Sequence, residues 1–94
     1  MQIPKSFKLG KKEWTVTTHG NRPYLYGRVH PEYRVVQVCI NYTPKRSESA
    51  LSETFWHEVT HAILHDMKDP RWNDEKFVTA FSKRLNQVIN TAKL

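Results

Sequence analysis

Cysteine is nearly absent from this chain, because Cys39 is the one thiol among 94 residues. A single cysteine excludes an internal disulfide framework and a cysteine-rich zinc knuckle, and it is typical of a reducing compartment. Long apolar runs are missing too, and none approaches the roughly 20 residues that a membrane-spanning helix needs. Residues 1–5 are not followed by an apolar signal core. We therefore expect a cytoplasmic protein with no membrane partner.

Room for a second core is also lacking, so we expect residues 1–94 to form a single domain. The sequence contains neither an internal repeat nor a low-complexity tract. Its 15 Lys and Arg residues outnumber its 9 Asp and Glu residues and give a formal charge of +6. These basic residues are scattered rather than clustered, which favours ordinary solubility while leaving a nucleic-acid partner open. The short basic pairs Lys11-Lys12 and Lys45-Arg46 are interpreted in the same way.

The first half of the chain has the pattern of β-strands. Residues 13–18 alternate, residues 24–30 form a second extended run, and residues 33–42 are rich in β-branched side chains. Three strands so close in sequence predict an antiparallel meander, with mixed pairing as the alternative. Gly27 interrupts the second run, which indicates a bulge or a close approach of the backbone to another group.

The second half has helical periodicity. A helix is predicted over residues 47–67, with an apolar stripe that consists of Leu51, Phe55, Val59, Ala62 and Ile63. Asp69-Pro70 ends this segment, and a second helix is predicted to begin near Asn73 as its N-terminal cap. Its predicted apolar face consists of Phe77, Val78, Phe81, Leu85, Val88, Ile89 and Ala92. A three-stranded sheet packed on two helices is an α+β fold.

The first helix carries the motif H-E-x-x-H, formed by His57, Glu58 and His61. At about 100° per residue the two histidines lie one turn apart on the same face, so both imidazoles can bind one ion. Glu58 falls between this face and the apolar stripe. There its carboxylate can act as general base on a water without binding the metal.

A catalytic zinc site needs a third protein ligand, and several residues near the motif offer one. His65 continues the i+4 spacing, but ligands on three successive turns of one straight helix lie too far apart along its axis to bind the same ion. The remaining candidates are Glu75, Asp66, Asp69 and Asp74. Glu75 meets the need if the second helix packs antiparallel to the first, and His65 is then left in solvent or beside a ligand.

The segment TFWHEVTHAIL, residues 54–64, resembles the active-site helix of gluzincin-type zincin metallopeptidases. Its greatest resemblance is to their smallest members, the minigluzincins, and to the phage-associated short metallopeptidases. The pattern E-x-x-V-x-x-F-S-x-x-L that begins at Glu75 is similar to the glutamate helix of the related ImmA/IrrE-type peptidases. Val78 and Ser82 stand where the ImmA-type pattern commonly has alanine. The resemblance covers residues 54–85.

This resemblance implies a zinc-dependent peptidase of minimal zincin-like fold. His57, His61 and Glu75 would then bind Zn²⁺, and Glu58 would be the catalytic base. In zincins the substrate lies extended along the edge strand of the sheet, a position that we assign to residues 33–42. A further side chain usually hydrogen-bonds the tetrahedral intermediate, and the sequence does not choose among its candidates Tyr24, His30 and Tyr42.

Some residues beside the motif have a structural interpretation. Trp56 is expected to pack on the sheet or on Trp14, and Trp72 to fix the loop that directs Glu75 inward. Cys39 is expected to be a small buried apolar residue. The alternative function is a DNA-associated or protein-binding module in which zinc only stabilises the fold. A third interpretation is a peptidase that acts on DNA-bound proteins.

Overall fold

The computed structural model describes residues 2–20, 26–41 and 46–94, and these form a mixed sheet with two helices. The predicted α+β class is confirmed. The elements are β1 (Ser6–Leu9), β2 (Lys12–Gly20), β3 (Gly27–His30), β4 (Val35–Asn41), α1 (Glu48–Asp66) and α2 (Glu75–Thr91). Two short 3₁₀ turns, Pro31–Tyr33 and Pro70–Asn73, precede β4 and α2 respectively.

The sheet has four strands in the order β1-β2-β4-β3, so the prediction of three strands is wrong. The pairing is mixed, because β2 and β4 pair in parallel while β1 and β3 pair antiparallel with their neighbours. The predicted antiparallel meander is therefore wrong, and the alternative of mixed pairing is confirmed. As a result, β4 lies in the interior of the sheet. The strand predicted within residues 33–42 is observed as β4, and it does not provide the edge for a substrate; the edge strand next to it is β3.

The strand that sequence reasoning missed is β1, which forms a tight hairpin with β2. Gly10 adopts a φ of 60° in the two-residue connection, a left-handed conformation that glycine adopts without steric cost. Phe7 pairs with Trp14 across the hairpin, and their rings stack with centroids 5.9 Å apart. This cross-strand pair covers one end of the core.

The core lies between the sheet and α1. Its fully buried members are Trp14, Val16, Val36, Val38, Phe55, Val59 and Ala62. The alternation of residues 13–18 places Trp14 and Val16 on the same side of β2, where both join the core. Cys39 is 1% exposed, so it is the buried apolar residue that its position in a β-branched strand indicates. Trp56 packs at the margin of this core, edge-on to Phe55 at 5.1 Å.

The first helix begins and ends close to the predicted residues. Ser47 is its N-terminal cap, and the Ser47 hydroxyl accepts the backbone N–H of Ala50 at 3.1 Å. The helix ends at Asp66, and Met67 is its C-terminal cap. These signals are local in the sequence, which is why periodicity and capping were sufficient to locate this helix.

The second helix differs from its prediction in two respects. Its N-terminal cap is Asp74, whose carboxylate accepts the N–H of Phe77 at 3.1 Å, whereas Asn73 ends the preceding 3₁₀ turn. Its buried residues are Val78, Ser82 and Asn86, while most of the predicted apolar face stays exposed, including Phe81 at 50% and Val88 at 61%. The buried side chain of Asn86 is satisfied, because its Oδ1 accepts a hydrogen bond from the hydroxyl of Ser52 in α1 at 2.7 Å.

None of the helices within the described residues has the length and apolar character required to cross a membrane. The cytoplasmic location stays a prediction.

Candidate metal centre

Two histidines of α1 direct their imidazoles toward the same point. The Nε2 atoms of His57 and His61 are 3.2 Å apart, and their ring centroids are 4.9 Å apart. The side chain of His61 is 6% exposed and that of His57 is 22% exposed. Their i, i+4 spacing produces this proximity, because successive helical turns stack such side chains on one face.

The third member of the group is Glu75, the first residue of α2. Its Oε1 lies 2.8 Å from Nε2 of His61, and its Oε2 lies 3.1 Å from Nε2 of His57. Within residues 2–20, 26–41 and 46–94, this is the one group of three His, Cys, Asp or Glu ligand atoms found close enough to hold a metal ion. The Glu75 side chain is 70% exposed, so the group is open to solvent on that side.

The alternative third ligands lie outside this group. His65 is exposed, and its ring meets the ring of Trp72 edge-on at 4.9 Å. Asp69 binds the guanidinium of Arg71 at 2.8 Å, and Asp74 caps α2. Asp66, at the end of α1, is exposed. The structure therefore brings Glu75 to the two histidines and leaves these four side chains elsewhere.

The orientation of His61 is fixed by the backbone of the interhelical turn. Its Nδ1 donates a hydrogen bond to the carbonyl oxygen of Trp72, which can only accept. In the neutral imidazole, Nε2 then carries a lone pair and no proton. Trp72 was expected to fix this loop, and its carbonyl acts directly on a ligand candidate, a role that a side-chain pattern does not reveal.

The ligand atoms of this group lie close enough together to bind one metal ion. Nε2 of His61 and Oε1 of Glu75 are 2.8 Å apart. Tetrahedral zinc with bonds of about 2.0–2.1 Å holds its ligand atoms roughly 3.3 Å apart. The two imidazole nitrogens, 3.2 Å apart, are close to that value, and the Glu75 carboxylate approaches each nitrogen with a different oxygen, Oε1 at 2.8 Å from His61 and Oε2 at 3.1 Å from His57. Burial also lowers the pKa of His57, against the opposing effect of Glu75, and this favours the neutral imidazole that a metal requires.

Glu58 lies beside the histidines on the core side of α1. It is 7% exposed, and its carboxylate has no hydrogen-bond partner among the residues that the structure describes. Burial, with a smaller effect of the Glu75 charge, raises the pKa of Glu58 to about 8. A carboxyl group with such a pKa can both accept and release a proton near neutral pH.

Gly27 of β3 lies directly against Glu58, in agreement with the predicted close approach. A Cβ at Gly27 would be 3.0 Å from Cγ of Glu58 and 2.7 Å from Cγ2 of Thr54. Real Cβ atoms essentially never come within 3.0 Å of another heavy atom. The absence of a side chain at Gly27 therefore allows the edge strand to lie close to the candidate base.

Arg46 is a structural residue that sequence reasoning missed, because it was interpreted as part of a solubility pair. Its guanidinium donates hydrogen bonds to the carbonyl oxygens of Tyr26, Cys39 and Ala50 at 3.3, 3.1 and 3.0 Å. It also donates to the hydroxyl of Thr54. These bonds join β4 and the residue before β3 to the first two turns of α1. The contacts are non-local, and no sequence pattern indicates them.

The candidates for stabilising a tetrahedral intermediate are only partly described. Tyr24 and Tyr42 lie outside the described residues. His30 ends β3, where its Nε2 lies 3.3 Å from the amide oxygen of Gln37 and its Nδ1 lies 3.8 Å from Glu32. Both nitrogens of His30 therefore already have polar neighbours.

Comparison of the chain with protein-family models, with curated proteins and with solved structures finds no match. The zincin resemblance consequently stays a prediction that depends on the motif residues and their spacing.

Proposed function

We propose that the protein is a zinc-dependent peptidase with His57, His61 and Glu75 as its metal ligands and Glu58 as its general base. The observation that carries this proposal is the convergence of two imidazole nitrogens and one carboxylate beside a buried second carboxyl group. Two histidines and one glutamate form a ligand set of catalytic zinc, which keeps one coordination position for water or substrate.

In the proposed hydrolysis, the metal and Glu58 have separate roles. Bound zinc supplies a Lewis acid that polarises a carbonyl group and acidifies a water molecule. Glu58 accepts the proton of the attacking water and later gives it to the departing amine. In the metal-free protein, burial raises the pKa of this carboxyl group to about 8, and a positive ion at the ligands would lower it toward the neutral pH at which proton transfer is most efficient.

We infer that a substrate peptide adds to β3, since β4 is an interior strand. One side of β3 has no strand partner among residues 2–20, 26–41 and 46–94. Gly27, at the start of this strand, lies against Glu58. Main-chain hydrogen bonds along β3 would hold the peptide in an extended conformation beside the metal ligands.

The alternative is a module in which zinc only joins α1 to α2. Structural zinc sites are almost always closed by four protein ligands. Among the described residues three ligand atoms converge, and the 70% exposure of Glu75 leaves the site open. A structural site also has no use for a buried carboxyl group such as Glu58. These observations favour a peptidase.

The test compares cleavage of a peptide library by the zinc-loaded wild type and by Glu58→Gln. Glu58→Gln keeps the size of the side chain and removes its ability to accept a proton. We expect zinc content to be retained and kcat to fall by roughly 10²–10⁴-fold, the usual contribution of general acid–base catalysis. Glu53→Gln, which changes an exposed glutamate of the same helix, is the matched control and should cleave like wild type.

Two outcomes would contradict the proposal. In the first, both proteins bind zinc equally and neither cleaves any peptide. In the second, Glu58→Gln cleaves as fast as Glu53→Gln.

A further inference from the structure

A second concave site lies beside the end of α1, away from the three metal-ligand candidates. It is a cavity of about 380 Å³ with His65 and Asp66 on one side and the residues that follow β3 on the other. Trp14 of β2 also lines it, together with the basic side chains Lys12, Arg34 and Lys68. We call this space the basic cavity.

Unused hydrogen-bond donors are concentrated in the basic cavity. Lys12, Arg34 and Lys68 form no ion pair with any described residue. Trp14 is 2% exposed, and its buried Nε1–H finds no acceptor in the part of the chain that the structure describes. A buried donor left unpaired is costly, and native proteins usually satisfy it. Two acids, Glu32 and Asp66, also line the cavity, so its three basic side chains exceed its acids by one charge.

Two of the cations occupy backbone positions that favour glycine. Arg34 and Lys68 have φ values of 53° and 58°, and they are the non-glycine residues with positive φ among those described. Each follows the end of a helical turn, where the left-handed conformation is usually taken by glycine or asparagine. Both of these exceptions are basic, and both line the same cavity.

The basic cavity lies in line with the proposed peptide path. β3 begins at Gly27, beside Glu58, and ends at His30, directly before the cavity residue Pro31. On α1, His65 lies one turn beyond His61, about 5.4 Å along the axis. An extended peptide advances about 3.3 Å per residue. A side chain two or three residues from the cleaved bond would therefore reach the cavity.

We propose that the basic cavity binds a carboxylate of the substrate, two or three residues from the scissile bond, and so makes the enzyme selective for acidic peptides. The inference depends on the proposed peptidase function. The carboxylate comes from an Asp or Glu side chain or from the C-terminus of the peptide. Lys12, Arg34 and Lys68 supply its donors, and Trp14 forms part of the wall.

The first experiment measures kcat/KM for matched peptides. One series places Asp, or its neutral isostere Asn, at each of the three positions on either side of the cleaved bond. A second series compares free and amidated C-termini. We expect one position, two or three residues from the bond, to favour the carboxylate by about tenfold or more. The series that responds identifies the source of the carboxylate.

The second experiment removes the cavity charges in the double variant Arg34→Asn, Lys68→Asn. Asparagine is neutral and tolerates a positive φ, so the backbone conformation can be retained. We expect the acidic-to-neutral ratio of kcat/KM to fall to about 1. The control is Lys83→Asn, which removes an exposed charge of α2 outside the cavity. It should keep the wild-type ratio.

A third measurement does not require cleavage. In zinc-loaded Glu58→Gln, the ¹⁵N–¹H resonance of the Trp14 indole should shift when an Asp-containing peptide is added, and not with the Asn peptide. If this shift appears but wild type cleaves nothing, the cavity inference holds and the peptidase proposal fails. If wild type cleaves acidic and neutral peptides equally and the indole does not respond, the cavity inference is overturned while the peptidase proposal stands.

Discussion

Nδ1 of His61 donates a hydrogen bond to the backbone carbonyl of Trp72, and this contact links a ligand candidate on α1 to the turn that begins α2. The same turn places Glu75 at the first position of α2, 2.8 Å from Nε2 of His61. One short segment therefore sets both the tautomer of a histidine and the position of the carboxylate. Removing a hydrogen bond of this kind to a metal-binding histidine typically lowers metal affinity by 10–100-fold.

Asp69 should stabilise this turn in a pH-dependent way. Hydrogen bonds from the side chain and backbone N–H of Arg71 lower the pKa of Asp69 to about 2. A lowered pKa in the folded state means that the carboxylate stabilises the fold above about pH 4 and loses this effect as the pH falls toward 2. We expect Asp69→Asn to unfold at a lower temperature than wild type at pH 6, and at the same temperature near pH 2. Thermal unfolding monitored by circular dichroism measures both midpoints, and a difference that persists unchanged to pH 2 would contradict the assignment.

Glu58 should destabilise the metal-free protein at alkaline pH. Its folded-state pKa of about 8 lies above the value of 4.5 for a free glutamate, so the folded protein holds this proton more tightly than the unfolded chain. The free energy of unfolding therefore falls as the pH rises from about 4.5 to 8. In the presence of a chelator, Glu58→Gln should be more stable than wild type at pH 8–9, and the two should converge near pH 4. An equal difference at both pH values would show that Glu58 is not protonated in the fold.

Gly27→Ala should disturb both the fold and the site. The new Cβ would lie 2.7 Å from Cγ2 of Thr54 and 3.0 Å from Cγ of Glu58. We expect a loss of about 1–3 kcal/mol in the free energy of unfolding, the usual cost of overpacking, together with slower peptide cleavage. Adding Thr54→Ser removes the methyl group at 2.7 Å and keeps the hydroxyl that binds Arg46, so it should restore part of both properties. Denaturant titration and kcat measurements provide the comparison, and full stability in Gly27→Ala alone would contradict the packing.

The buried contact between Ser52 and Asn86 should behave as a coupled pair. Asn86→Ala leaves the Ser52 hydroxyl without its acceptor at 2.7 Å, and an unsatisfied buried group costs about 1–3 kcal/mol. Ser52→Ala combined with Asn86→Ala should cost less than the sum of the two single changes. Urea unfolding of the four proteins gives the coupling energy. Additive effects would mean that this bond does not join α1 to α2.

The features that could be predicted from the sequence are those encoded by neighbouring residues. The spacing of His57, Glu58 and His61 depends on helical geometry alone, and the Ser47 cap is a local signal. Glu75 was chosen because it opens the next predicted helix. The choice required no knowledge of the intervening turn.

The features that could not be predicted depend on contacts between distant segments. The short β1 has too few residues for a periodic signal, and the parallel pairing of β2 with β4 has no signature in either strand. The face that α2 turns toward α1 carries Val78, Ser82 and Asn86, with Asn86 bound to Ser52, while Phe81 and Val88 stay exposed, and the apolar periodicity of α2 alone does not indicate this. The proposed substrate edge is β3 rather than β4 because the strand order places β4 between β2 and β3.

The most direct test of the account is the zinc affinity of wild type beside Glu75→Ala and the control Glu48→Ala, measured by competition with a chromogenic chelator. The account predicts one zinc per wild-type chain, unchanged binding in Glu48→Ala, and an affinity lower by on the order of 100-fold or more in Glu75→Ala. Equal zinc affinity in Glu75→Ala and wild type would show that α2 contributes no ligand, and the proposed metal centre would be wrong.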